Sequence, residues 1–156
     1  REWALSVGGV GTAKVVPLWN GNGTVKVIIA DSNNNQASEA LIKKTADYIE
    51  TVRPIGATVT GVTPSIKEFS VSANVVVVKG WESMYADKLK SAIANYMQNE
   101  AFTDGKVSLA KIGKAMLDSG TISDYNKLLL DGSNANITLT TEQLPRLKDL
   151  TVTADA

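Results

Sequence analysis

The stretch that most constrains the fold is Phe69 to Lys79, where Phe69, Val71, Ala73, Val75 and Val77 fall on one face at period two. It is the clearest strand in the chain. From Ser83 or Met84 to about Gln98, the positions Leu89, Ala92, Ile93, Tyr96 and Met97 then form a helical stripe. Ser108 stands where an N-cap belongs, ahead of a second helix with Leu109, Ile112, Ala115 and Met116 inward and Gly120 past its end. Tyr125 to Leu130, Ala135 to Leu139 and Leu150 to Val152 read as short strands, with a turn at Asp131 to Asn134. The end from Thr153 to Ala156 reads as weakly structured.

The first part of the chain has its own pattern. Arg1 to Ser6 reads as the last turn of a helix, because Gly8 and Gly9 follow it. Thr12 to Leu18 and Thr24 to Ala30 are rich in Val and Ile, and they flank Trp19-Asn20-Gly21-Asn22-Gly23, whose Asn and Gly residues tolerate positive φ. This predicts a β-hairpin. Pro17 cannot donate a ladder hydrogen bond, which places the first strand at an edge or puts a bulge at the proline. After the polar loop Asp31 to Gln36, Ser38 caps a helix running to about Val52, with Leu41, Ile42, Ala46, Ile49 and Val52 at helical spacing. Pro54 and Gly56 stop it. Ala57 to Val62 alternates as a strand, and Thr63 to Glu68 has the polar, Pro-marked character of a linker. The expected class is therefore α+β, in two small domains at residues 1–67 and 68–156. Each should carry a few mostly antiparallel strands with one or two helices on one face.

Composition narrows the function. Among 156 residues there is no cysteine and no histidine, so a disulfide framework, a thiolate metal site and the commonest general base are all missing. Sixteen Lys and Arg balance sixteen Asp and Glu, which leaves no net field to draw the chain onto nucleic acid or an anionic membrane. The longest apolar runs, Val75 to Val78 among them, are far too short to span a bilayer, and no signal peptide is evident. The expected setting is the cytoplasm. A chain that begins at Arg1 without an initiator Met is also expected to be a piece of something longer.

Several motifs invite chemistry and stop short. Gly8-Gly9-Val10-Gly11 is followed by a strand pattern, and the third glycine of a dinucleotide loop would fall on Lys14. Neither Gly105-Lys106 nor Gly113-Lys114 has the remainder of a phosphate loop. Asp31, Asn33 and Asn35 imitate the start of a calcium loop, but Gln36 and Ile42 stand where its glycine and bidentate glutamate belong. Ser108-Leu109-Ala110-Lys111 matches S-x-x-K, yet Ser123-Asp124-Tyr125 misses S-D-N and no K-T-G is present, so N-cap and solvated lysine is the favoured reading. Asn22-Gly23-Thr24 and Asn136-Ile137-Thr138 match glycosylation acceptors but read as turn and strand residues. The residues thus nominate no catalytic, cofactor-binding or metal-binding set. Trp3, Trp19 and Trp81 sit near element boundaries, and Trp19, beside the tight turn, is the candidate interface residue.

Certain stretches resemble a known family. Trp3 to Val7, Gly9-Val10-Gly11, Val16 to Gly21, Gly23 to Val27 and Arg53-Pro54-Ile55-Gly56-Ala57 are similar to the middle region of the baseplate J-like proteins. Asp124-Tyr125, Leu128 to Leu130, Asn136-Ile137, Gln143 to Pro145 and Leu150 to Val152 resemble the C-terminal domain of that family, in the same order. Gly8 departs from the pattern where proline is expected, and Arg146-Leu147-Lys148 is more basic than the short turn expected after the proline. The resemblance implies a structural wedge component of a contractile phage-type tail baseplate, without catalysis and without a cofactor. Its implied partners are other wedge proteins and neighbouring copies of itself, with no nucleic acid, membrane or small-molecule substrate. It implies assembly in the bacterial cytoplasm and residence in the virion or tail-like particle. The alternatives left open are a small hydrolase using Ser/Lys or carboxylate chemistry and a generic ligand-binding module, either of which needs a deep pocket with convergent polar groups.

Overall fold

The computed structural model of the chain describes residues 1–155, which divide into two compact units, Arg1–Ile66 and a second that begins at Lys67. Both mix helices and strands, so the class is α+β.

The first unit contains α1 (Glu2–Leu5), β1 (Val10–Pro17), β2 (Thr24–Asp31), α2 (Glu39–Val52) and β3 (Thr58–Val62), with the strands in the order β1-β2-β3. The hairpin β1–β2 is antiparallel, and Pro17 pairs with Val25 on the edge strand, where its missing N–H costs no ladder bond. The bulge lies instead between Val10 and Thr12. Gly11 is required there because a Cβ would collide with the Asp31 carbonyl oxygen and come within 2.8 Å of the Ser32 Cα. β3 runs parallel to β2, with Thr24 beside Thr58 and Ile28 beside Val62, because α2 carries the chain back along the sheet.

Ser38 caps α2 by accepting from the Leu41 N–H at 3.2 Å. Ile49 is buried on that helix and Thr45 too, its hydroxyl donating to the Leu41 carbonyl at 2.8 Å, whereas Val52 lies exposed. Ala4, Ala13, Val27, Ile29, Ala37 and Ile49 form the core of this unit.

The expected linker Thr63 to Glu68 is largely structured. The Thr63 hydroxyl accepts from the Ala37 N–H at 2.8 Å, the Pro64 carbonyl accepts from Gln36 Nε2 at 3.1 Å, and Ser65 already begins the next strand. The polar side chain and the proline's carbonyl are spent on internal bonds.

The second unit holds β4 (Ser65–Val77, begun in the first unit), α3 (Tyr85–Tyr96), α4 (Phe102–Asp104), β5 (Lys106–Val107), α5 (Leu109–Asp118), β6 (Ile122–Leu130), β7 (Ile137–Thr138) and β8 (Gln143–Ala154). The main sheet has the order β6-β4-β8, and β5 pairs with β7 in a second, two-stranded ladder. Phe69, Val71, Ala73 and Val75 are buried as their alternation requires, against Leu89, Ile93, Met97, Ile112 and Met116 of the helices.

Two elements run beyond their expected ends. The helix does not stop near Gln98 but widens into a π-helical turn at Met97–Ala101 and continues to Asp104, where Gly105 closes it at φ 72°. The wider turn rotates less per residue, so Ala101 and Phe102 stay on the buried side. The second is β8, which takes in Arg146-Leu147-Lys148, expected as a turn, and also Thr153 and Ala154, expected as weakly structured. Leu144 is fully buried and Leu147, Leu150 and Val152 pack on the core, which holds the strand in place despite its charges. Ala156 lies outside the described residues.

Candidate functional site: the Trp19 turn

Each catalytic-looking motif is occupied by structural bonds. Asp31 Oδ1 accepts from the N–H groups of Asn33 at 2.9 Å and Asn35 at 2.8 Å, which folds the loop on its own carboxylate. Ser108 Oγ accepts from the Lys111 N–H at 3.3 Å as a helix cap. Lys111 Nζ donates to Asp104 Oδ2 at 2.8 Å and to Glu100 Oε2 at 2.9 Å. Those two bonds, Asp104 first, lift its pKa well above the usual lysine range. An ammonium held this tightly is a poor base for activating a serine. Gly113 is needed not for phosphate but for Tyr125, whose hydroxyl occupies the space a Cβ would fill.

Beside that ion triad an open groove of about 450 Å³ runs between α3 and α5, lined by Lys88, Asn95, Tyr96, Lys111, Lys114 and Asp118. Its charges are largely paired, Lys114 with Asp118 and Lys111 with Glu100 and Asp104. A smaller apolar cleft of about 190 Å³ in the first unit is lined by Trp3, Val15, Val25, Ile49, Arg53 and Val59. Among the described residues, no group of three or more Asp or Glu is gathered to hold a metal, and no helix is long and apolar enough to cross a membrane.

The turn from Leu18 to Gly23 has a different character. Leu18 sits at φ 56°, an uncommon conformation for a side chain of its kind, and its N–H donates to the Thr24 carbonyl at 2.7 Å. Thr24 Oγ1 donates to the Gly21 carbonyl at 2.7 Å and accepts from the Asn20 N–H at 3.1 Å. Thr58 N–H donates to the Gly23 carbonyl at 2.7 Å, and a Cβ on Gly23 would lie 3.2 Å from the Gly56 oxygen. The hairpin turn and the Ile55–Ala57 loop are therefore braced side by side at one end of the sheet.

Three large apolar side chains are left in solvent on these braced loops: Leu18 at 62% exposure, Trp19 at 40% and Ile55 at 105%. Lys26 Nζ lies 4.1 Å from the centre of the Trp19 ring, which fixes one face of the indole. Trp3 is 44% exposed over the apolar cleft, and Trp81 is half-buried ahead of α3. Sequence reading singled out Trp19 but passed over Leu18 and Ile55. Ile55 stands alone between Pro54 and Gly56, outside any stripe, and that isolation in a turn was the available signal.

These features define a two-unit α+β scaffold with an exposed, hydrogen-bonded apolar turn. The chain belongs to the baseplate J-like family: the central domain of that family matches residues 1–63 and its C-terminal domain matches residues 69–153. It is 35% identical over 155 residues to the phage-like element PBSX protein XkdT of Bacillus subtilis strain 168, covering 94% of this chain and 44% of that protein. To the protein YqbT of the same strain it is 34% identical, covering 97% of this chain and 46% of the relative. The chain thus spans about half the length of these curated relatives. The cryo-EM structure of the anti-feeding prophage baseplate, 6-fold symmetrised, contains a chain of similar fold, with a TM-score of 0.59 at 13% identity, covering 94% of this chain and 35% of that one.

Proposed function

We propose that this chain is a structural component of a contractile phage-type tail baseplate, a wedge or ring assembly piece that performs no catalysis. The observation that carries the reading is collinearity: central and C-terminal baseplate J-like domains follow one another over residues 1–63 and 69–153. The bonded states of Ser108 and Lys111 count against Ser/Lys chemistry. In this reading the partners are other wedge proteins and neighbouring copies of the chain, met in the tail particle after assembly in the bacterial cytoplasm.

Within it, Trp19 is the interface anchor, flanked by Leu18 and Ile55. A preformed aromatic knob loses little conformational freedom on docking, and such anchors commonly contribute about 2 kcal/mol or more at an interface. Partners already fixed to a scaffold meet at an effective concentration of order millimolar, so a contact that is weak in solution suffices in a ring.

The test is to introduce Trp19→Ala and Leu18→Ser into the protein in its producing bacterium and purify sheathed particles. Reduced incorporation, with the thermal unfolding of the isolated chain unchanged, is the expected result. Normal incorporation of the double variant would remove this turn from the interface, and absence of the unaltered parent from purified sheathed particles would remove the baseplate role itself.

A further inference from the structure

Two Asn-Gly pairs stand in tandem in the exposed turn, Asn20-Gly21 and Asn22-Gly23. We infer that Asn22 is a site of spontaneous amide-to-carboxylate conversion, selected over Asn20 by the hydrogen bonding of the turn. The inference does not depend on the turn meeting a partner.

The chemistry needs only water. The backbone nitrogen of the glycine bonds to Cγ of the preceding asparagine and loses its proton, while the side-chain nitrogen leaves as ammonia and a five-membered succinimide remains. Water opens that ring at either carbonyl, giving aspartate or isoaspartate. Glycine favours the attack because it has no Cβ to crowd the approach and admits more backbone conformations than any other residue. Attack runs through the deprotonated amide nitrogen, so the rate rises with pH.

The turn treats its two pairs differently. Gly21 N–H donates to the Leu18 carbonyl at 3.3 Å, and the Gly21 carbonyl accepts from Thr24 Oγ1 at 2.7 Å and from the Thr24 N–H at 3.3 Å. Asn20 N–H is engaged as well, by Thr24 Oγ1 at 3.1 Å. The nitrogen that would attack Asn20 is therefore already bonded. Gly23 is held through its carbonyl, by Thr58 N–H at 2.7 Å, while its nitrogen takes part in no bond among the described residues. Asn22 is exposed and its amide has no partner there. Nucleophile and electrophile are both unoccupied at Asn22-Gly23. Leu18 to Gly23 carries no charged side chain, so conversion introduces a negative charge beside Trp19, and the isoaspartate product also lengthens the main chain by one carbon.

The experiment is to incubate the intact chain in mildly alkaline buffer, with a parallel sample unfolded in denaturant, and to map the amide-to-acid mass gain by peptide mass spectrometry. In the folded chain Asn22 should convert severalfold faster than Asn20. Unfolded, where both are plain Asn-Gly pairs, the two rates should approach one another. Asn22→Ser should abolish the fast phase and Asn20→Ser should leave it. Equal rates in the folded chain, survival of the fast phase in Asn22→Ser, or conversion confined to the unfolded sample would each overturn the inference.

Discussion

The Tyr96 hydroxyl accepts a hydrogen bond from the Ser108 N–H at 3.0 Å, so a buried side chain at the end of α3 holds the first turn of α5. Tyr96→Phe keeps the ring but leaves that N–H without its acceptor, which should cost about 1–3 kcal/mol. Urea unfolding should show a lower midpoint at unchanged slope. An unchanged midpoint would mean that water replaces the hydroxyl at no cost.

The same residue sets an alkaline limit. Burial, the larger influence, raises the Tyr96 pKa above its ordinary 10.0, against the opposing effect of the Ser108 N–H. Asp104 and then Glu100 raise that of Lys111 above its ordinary 10.5. Both groups hold their protons more tightly folded than unfolded. Their stabilisation is therefore whole below the ordinary values and is lost as pH rises through the folded ones. The combined Tyr96→Phe, Lys111→Met variant should lose stability less steeply than the parent in that range. Parallel curves of unfolding midpoint against pH would contradict the assignment.

Gly113 and Tyr125 should prove coupled. Alanine in a helix normally gains about 1 kcal/mol over glycine. Here the added methyl meets the Tyr125 ring, with Cε1 at 3.0 Å, and overpacking of that kind costs about 1–3 kcal/mol. Gly113→Ala is expected to destabilise the parent and to stabilise a Tyr125→Ala background. The same sign in both backgrounds would show that the ring is not what keeps glycine at this position.

What could be read in advance was what local chemistry and single-face burial enforce. Ser38 and Ser108 are caps because their side chains meet free helix N–H groups, and Phe69 to Val75 alternate because one face of β4 is buried. The elements that ran long follow from pressures that leave weak local marks. Gln98-Asn99-Glu100 reads as a helix end, but the π-helical turn lets the apolar side resume at Ala101 and Phe102. Arg146, Lys148 and Asp149 interrupt the apolar pattern of β8, whose order comes from buried Leu144 and from Leu147 and Leu150 packed on the core. Trp19 was visible as a large side chain beside a turn. Of its neighbours, Leu18 left no mark and Ile55 only its isolation between Pro54 and Gly56, because exposure follows from how two loops brace one another.

We further propose that residues 1–67 and 68–156 fold independently. Separate apolar cores support this, Ala13, Val27 and Ile49 in the first part and Phe69, Ile93 and Ile112 in the second. Each part expressed alone should unfold cooperatively. A disordered 68–156 beside a folded whole chain would refute the division.

The baseplate role itself is tested most directly by deleting the codons for residues 68–156 in the producing bacterium and imaging the particles that form. A structural role in the ring predicts sheaths and tubes lacking complete baseplates. Sheathed tails with complete, normal baseplate rings would contradict it.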